Sequence, residues 1–108
     1  MDNCNNEQVN CPIFYTMSVI GGKWKWAILF LIAKEEVVRY GKIKGFLPPI
    51  AHKTLSQQLK ELEGDGIIHR EQYNVMPPKV EYTLTDKGKS LVPMFDFMFQ
   101  WGEKWYDN

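Results

Sequence analysis

The apolar positions of the chain change period twice, and those changes divide it. From Pro12 to Gly66 they recur at the three- and four-residue spacing of helices, from Ile67 to Leu84 they alternate, and from Asp86 onward the helical spacing returns. The first helical segment, Ile13 to Ile20, follows Pro12, whose fixed φ and absent N–H suit a first turn. It places Ile13, Met17 and Ile20 on one side, with Phe14 and Tyr15 near it, and Gly21-Gly22 ends it. Lys23 to Lys34 is apolar nearly all round. Trp24, Ile28, Leu31 and Ile32 form a stripe that Trp26, Leu29 and Phe30 broaden, which marks the central helix of the core. A shorter segment, Arg39 to Leu47, turns Ile43, Phe46 and Leu47 inward and Lys42 and Lys44 outward. Pro48-Pro49 stops it, because neither proline donates a backbone hydrogen bond and each pushes its predecessor out of the α region.

The stretch from Ile50 to Gly66 is the one the rest is organised around. Leu55, Leu59 and Leu62 give it a single core stripe, and Lys53, Ser56, Gln57 and Lys60 fall on the opposite face with His52 beside them. The acidic Glu61 and Glu63 come only toward its end. Cations and short polar groups on one helix face can neutralise phosphates and read base edges in a major groove, although an isolated polar face is also what any solvated helix shows. Context separates the two. A short helix, a tight turn and this helix make a helix-turn-helix, and the alternating segments Ile67 to Tyr73 and Val80 to Leu84 make a hairpin directly after it. The connecting loop, Asn74 to Lys79, is stiffened by Pro77-Pro78 and carries Lys79 beside its tip, so the hairpin reads as a wing. The last helix, Asp86 to about Tyr106, is capped by Thr85 or Asp86. Its stripe of Leu91, Met94, Phe95, Met98, Trp101 and Trp105, flanked by Phe97 and Phe99, exceeds what one small core can take.

The expected fold is therefore α+β, mainly α: a winged helix-turn-helix with a two-stranded wing, and N- and C-terminal helices that dimerise. Residues 11–108 form the domain, and residues 1–10, polar and without periodicity, form a flexible N-terminal arm.

Composition narrows the chemistry. In 108 residues, 13 basic and 13 acidic side chains cancel, so binding to nucleic acid must rest on a local surface. The arm lacks the charged start and apolar run of a secretory signal, and the two cysteines, Cys4 and Cys11, suit a reduced cytoplasmic protein. The longest uncharged apolar run, Trp26 to Ala33, is far short of the roughly 20 residues that cross a bilayer, so no membrane partner is expected. Gly21-Gly22-Lys23 lacks the spacing of a phosphate loop, and Cys4, Cys11, His52 and His69 lack the spacing of a zinc site. No nucleophile and base, and no paired acids, are brought together; the reading is a non-enzyme with no cofactor and no metal. Lys53 and Lys60 are assigned to phosphates, and His52, Ser56 and Gln57 to bases. Arg39 is a phosphate contact or a structural residue, and Arg70 is expected to pair with Glu81 across the hairpin. Cys11, beside Pro12, is a quiet small side chain or a redox-sensitive thiol. Two functions remain open: a dimeric regulator on double-stranded operator DNA, or a winged-helix protein-interaction module whose aromatic last helix docks another protein.

The chain resembles the HxlR-type transcription regulators, a MarR-like branch of the winged-helix proteins. The matching stretches are Cys11-Pro12, Ile20-Gly21-Gly22-Lys23-Trp24, Arg39-Tyr40, His52-Lys53 with Leu55 to Leu62, Leu62-Glu63 with Asp65-Gly66, Pro77-Pro78-Lys79-Val80-Glu81-Tyr82, Leu84-Thr85 with Gly88, and Trp101-Gly102. The resemblance implies a homodimer on pseudo-palindromic operator DNA, with recognition helices in successive major grooves and wings beside them. It also implies that the cysteine matching Cys11 senses electrophiles or oxidants in some relatives. Three positions depart from the pattern: Tyr40 stands for the usual Phe, Pro49 and Ala51 for Gly and Ser, and Val75 for a residue that is often acidic. The second departure leaves the recognition helix without a side-chain oxygen at its start.

Overall fold

The computed structural model describes residues 11–106. Six helices and three strands follow in the order α1 (Pro12–Ile20), α2 (Lys25–Glu35), β1 (Val38–Arg39), α3 (Tyr40–Phe46), α4 (His52–Gly64), β2 (Ile68–Tyr73), β3 (Lys79–Leu84), α5 (Asp86–Lys89) and α6 (Val92–Trp105). The core is built on α2, whose Ile28, Leu29 and Ile32 are fully enclosed, against Leu55, Leu59 and Leu62 of α4 and Ile43 of α3. Ile67, Ile68 and Tyr82 close it from the hairpin side. The leucine stripe of α4 thus lies where its spacing puts it. No single helix among the described residues is long and apolar enough to cross a membrane.

The ends of α4 differ in kind. Its start has no side-chain cap, Ala51 being the N-cap residue. Its end is closed by a Schellman arrangement: the Gly66 N–H donates to the Glu63 carbonyl at 3.0 Å and the Ile67 N–H to the Leu62 carbonyl at 2.9 Å, with Gly66 at φ 73°. Only glycine takes that conformation without a Cβ penalty. Thr85 fastens the same corner, its hydroxyl donating to the Gly66 carbonyl at 2.6 Å and accepting from the Gly88 N–H at 3.0 Å. The strand that ends the wing is thereby tied to the turn that ends α4.

The structure corrects the expected elements in three places. The wing's sheet has three strands in the order β1-β3-β2, all antiparallel, because Val38 and Arg39 pair with Tyr82 and Glu81. A two-residue strand is too short for alternation to reveal it. The last helix is broken: Thr85 caps only the short α5, and α6 restarts after Leu91. Pro93 explains the break, since a continuous helix would lose its N–H bond and press its ring on the carbonyl of Lys89. On α1, Ile13, Phe14, Tyr15 and Met17 are all more than half exposed and Val19 and Ile20 are buried, so of the stripe Ile13, Met17 and Ile20 one residue joins the core and two face outward. Phe46, assigned inward on α3, is 48% exposed. The expected arm, residues 1–10, lies outside the described residues.

Candidate nucleic-acid interface

With its leucines in the core, α4 turns Lys53, Ser56, Gln57 and Lys60 to solvent on one face, and His52 opens its first turn. No acidic side chain pairs with Lys53 or Lys60 among the described residues, which leaves both charges to the surface. Gln57 is partly engaged: its amide nitrogen donates one N–H to Glu61 Oε2 at 3.0 Å, which leaves its carbonyl oxygen and its second N–H for a ligand. The other oxygen of Glu61 meets Lys25 Nζ at 2.7 Å, and the Lys25 side chain is only 8% exposed. A buried ammonium without its carboxylate is strongly disfavoured, so this pair holds the recognition helix in register on α2. Lys25, and then Gln57, hold the Glu61 carboxyl below the ordinary value.

His52 is held from α3. Tyr40 Oη lies 2.8 Å from His52 Nδ1, and the two rings stack with centroids 5.8 Å apart at 14°. The turn between the helices is stitched by Lys44 Nζ, which donates to the Pro48 carbonyl at 3.1 Å. Arg39 is exposed on β1, one residue before α3, and forms no ion pair among the described residues.

Between α4 and the wing lies a cleft of about 410 Å³ lined by Tyr40, Ser56, Lys60, Glu63, Arg70 and Tyr82, among others. Arg70 is a functional candidate that sequence reasoning set aside. In the register of the hairpin it stands opposite Tyr82, while Glu81 stands opposite Glu71, so Arg70 and Glu81 lie on different faces of the sheet. The guanidinium donates instead to the Gln72 side chain at 3.2 Å. Counting the alternation back from Tyr82 would have put Arg70 on the face toward α4. Lys79 begins β3 opposite Tyr73, the strand pair next to the connecting loop, with its Nζ 3.8 Å from Glu81 Oε2 and 4.8 Å above the Tyr73 ring, so it lies beside the tip of the wing with its charge partly engaged. The tip belongs to Met76, which is 94% exposed.

Cys11 is the N-cap residue of α1 and only 1% exposed. It is disulfide-bonded, in place of the reduced thiol expected. The sequence supplies the positions of cysteines and not their oxidation state.

A helix-turn-helix followed by a hairpin, with cations on the outward face of its second helix and in the cleft beside the hairpin, defines the winged-helix class of DNA-binding fold. The HxlR-like helix-turn-helix family model matches residues 19–108, and the chain belongs to that family of transcription regulators. It is 50% identical over 99 residues to the HTH-type transcriptional regulator YdzF of Bacillus subtilis (strain 168), across 92% of this chain and 89% of that protein. Among solved structures, the oxidized form of the redox regulator HypR is 43% identical, with a TM-score of 0.85 over 91% of this chain and 100% of HypR. The reduced form of the transcriptional regulator YodB from B. subtilis is 33% identical, with a TM-score of 0.76 over 90% of this chain and 95% of YodB.

Proposed function

We propose that the protein is a homodimeric repressor that occupies operator DNA in the cytoplasm, with α4 in the major groove and the hairpin beside it. The observation that carries this reading is the outward face of α4, where Lys53 and Lys60 have no ion-pair partner among the described residues and the base-reading candidates Ser56 and Gln57 lie between them. Lys53, Lys60 and Arg39 take phosphates, as does Arg70, which shares the cleft with Lys60. His52, Ser56 and Gln57 read bases. Lys79 contributes charge beside the tip of the wing.

The dimer forms through α1 and α6. Phe97, Phe99, Trp101 and Trp105 of α6, Tyr106 just after it, and Ile13, Phe14 and Met17 of α1 are all more than half exposed, more apolar surface than a monomer of this size leaves to water. A groove of about 320 Å³ lined by Trp26, Phe30, Phe95, Met98 and Phe99 continues that surface onto α2.

Cys11 is the redox-responsive residue. It is disulfide-bonded at the start of α1, and the similar proteins HypR and YodB include a redox regulator solved in oxidized and reduced forms and a regulator solved after diamide treatment. Changing its state shifts α1 against the dimer surface and so alters the separation of two recognition helices that must match about 34 Å, one turn of DNA.

The test is binding to DNA from the gene's own upstream region, titrated against salt with random DNA as control. Operator binding gives log affinity falling with log salt at about −0.9 per phosphate contacted, together with a preference over random DNA. Equal, weak binding to both removes the operator assignment. For the switch, wild-type protein is expected to change its affinity between thiol-reducing and oxidising conditions, and Cys11→Ser is expected not to; a variant that still responds places the switch elsewhere.

A further inference from the structure

We propose that Tyr40 is a positioning residue for base recognition: its hydroxyl holds neutral His52 with Nδ1 as acceptor, leaving Nε2–H as a fixed donor toward guanine. The proposal rests on the operator-binding reading above and adds what residue 52 reads.

The Tyr40 hydroxyl has one proton and two nearby acceptors on His52. Tyr40 Oη is 2.8 Å from His52 Nδ1 and 3.4 Å from the His52 backbone carbonyl. A hydroxyl bond to oxygen spans about 2.5–3.0 Å, so the carbonyl is out of range. That carbonyl is also the helical acceptor for the N–H of residue 56, and needs no second donor. The phenol proton is assigned to Nδ1; the reverse arrangement, in which Nδ1–H donates to the phenol oxygen, is the one that 15N NMR tests against. A neutral imidazole has one N–H, and with Nδ1 accepting it must be on Nε2. Stacking at 14° between the rings fixes the plane in which that N–H points.

Position then decides the target. His52 is the first residue of α4, and residues at the start of a recognition helix are those that approach base edges. A lone donor there meets two acceptors on guanine, N7 and O6, whereas the cytosine edge offers a donor that opposes it. Adenine and thymine each offer one acceptor. The bond through Tyr40 thus turns a side chain that could donate from either nitrogen into one with a single reading.

The experiment has two arms at pH 8, above the ordinary imidazole value of about 6.5. In the first, His69→Gln leaves His52 as the remaining histidine of the two, and its ring nitrogens are read by 15N NMR. Protonated Nε2 with bare Nδ1 is expected; protonated Nδ1 overturns the proposal. In the second, wild type, Tyr40→Phe and His52→Ala each select duplexes from a random-sequence pool. Wild type is expected to yield guanine at one position in each half-site. Both variants are expected to lose about tenfold preference at that position, with the other positions and the salt slope unchanged. Phenylalanine keeps the stacked ring, so a fold defect is excluded by an unfolding midpoint equal to wild type. A consensus that Tyr40→Phe retains in full, or a uniform weakening on all sequences, overturns the role of Tyr40 while the operator reading stands. A wild-type pool with no consensus removes that reading and the proposal with it.

Discussion

At the scale of single residues, charge on this surface divides into what is held and what is offered. Lys25 and Glu61 are held, and so is Lys79, over Tyr73 and near Glu81. Lys53 and Lys60 are offered. Alanine at each of these two is expected to flatten the salt slope of DNA binding by about one unit and to weaken all sequences alike, as a lost phosphate contact does. The same substitution at Lys79 is expected to change the slope by less, because its charge is already partly spent on Glu81; salt titrations of the three variants side by side decide it. The held pair makes a different prediction. The Glu61 carboxyl sits below its ordinary value of 4.5, chiefly through the hydrogen bond to Lys25. An acid depressed on folding contributes stability that is complete above its unfolded value and is lost as pH falls through the folded one. Urea midpoints are therefore expected to fall for the wild type as pH drops below about 4.5, and to fall less for Glu61→Gln over the same window.

At the scale of elements, the strain in the fold is concentrated at Glu36, which follows α2. It has φ 71° and ψ −53°, and the Val37 N–H donates to the Glu35 carbonyl at 2.9 Å, so Glu36 is the centre of a γ-turn of the rare, strained hand. Such a residue costs on the order of 1 kcal/mol when it has a Cβ. Glu36→Gly is expected to raise unfolding stability by about 0.5–1 kcal/mol, read as a shift in the urea midpoint with unchanged slope. A loss of stability would mean that the carboxylate does more than the backbone strain costs. Nothing in the residues around Glu36 announces that turn, and this is the general pattern of what the sequence conceals. Periodicity reported α2, α4 and the hairpin, because each has one face that must be buried and the spacing of that face is the spacing of the element. It ran α5 and α6 together. On α1 Ile20 is buried while Ile13 and Met17 face out, and a pattern of apolar spacing cannot say whether the protein's own core or another surface covers it. Pro93 was visible, but its weight against a long apolar stripe was not. For the candidate site, the residues of α4 followed from the leucine stripe by exclusion. The bond between Tyr40 and His52, the cleft beside Arg70 and the engagement of Gln57 and Lys79 depend on contacts between elements, which spacing does not encode.

At the scale of the whole molecule, α6 sets the largest demand. It has one buried residue, Phe95, while Phe97 and Trp101 are 76% and 66% exposed. Phe30 of α2 stacks on Phe99 with ring centroids 6.4 Å apart, so the exposed surface is continuous with the core helix and through Lys25–Glu61 with α4 itself. A partner seated on α6 would therefore fix the position of the recognition helix as well as the assembly. If the partner is a second copy, charge placed at its centre is resisted by desolvation on both sides of the two-fold axis, because the same residue meets the interface twice. The double variant Phe97→Glu and Trp101→Glu is expected to run as a monomer in sedimentation at concentrations where wild type is a dimer, with its helical signal intact because neither side chain is part of the core. Its operator affinity is expected to fall by about 10²–10⁴, since each recognition helix would bind its half-site without the effective concentration the other supplies. Its affinity for a single half-site is expected to match that of wild type, because α4 and the cleft are untouched. A variant that stays dimeric would move the interface off α6, and one that becomes monomeric yet keeps full operator affinity would show that the two half-sites are not read together.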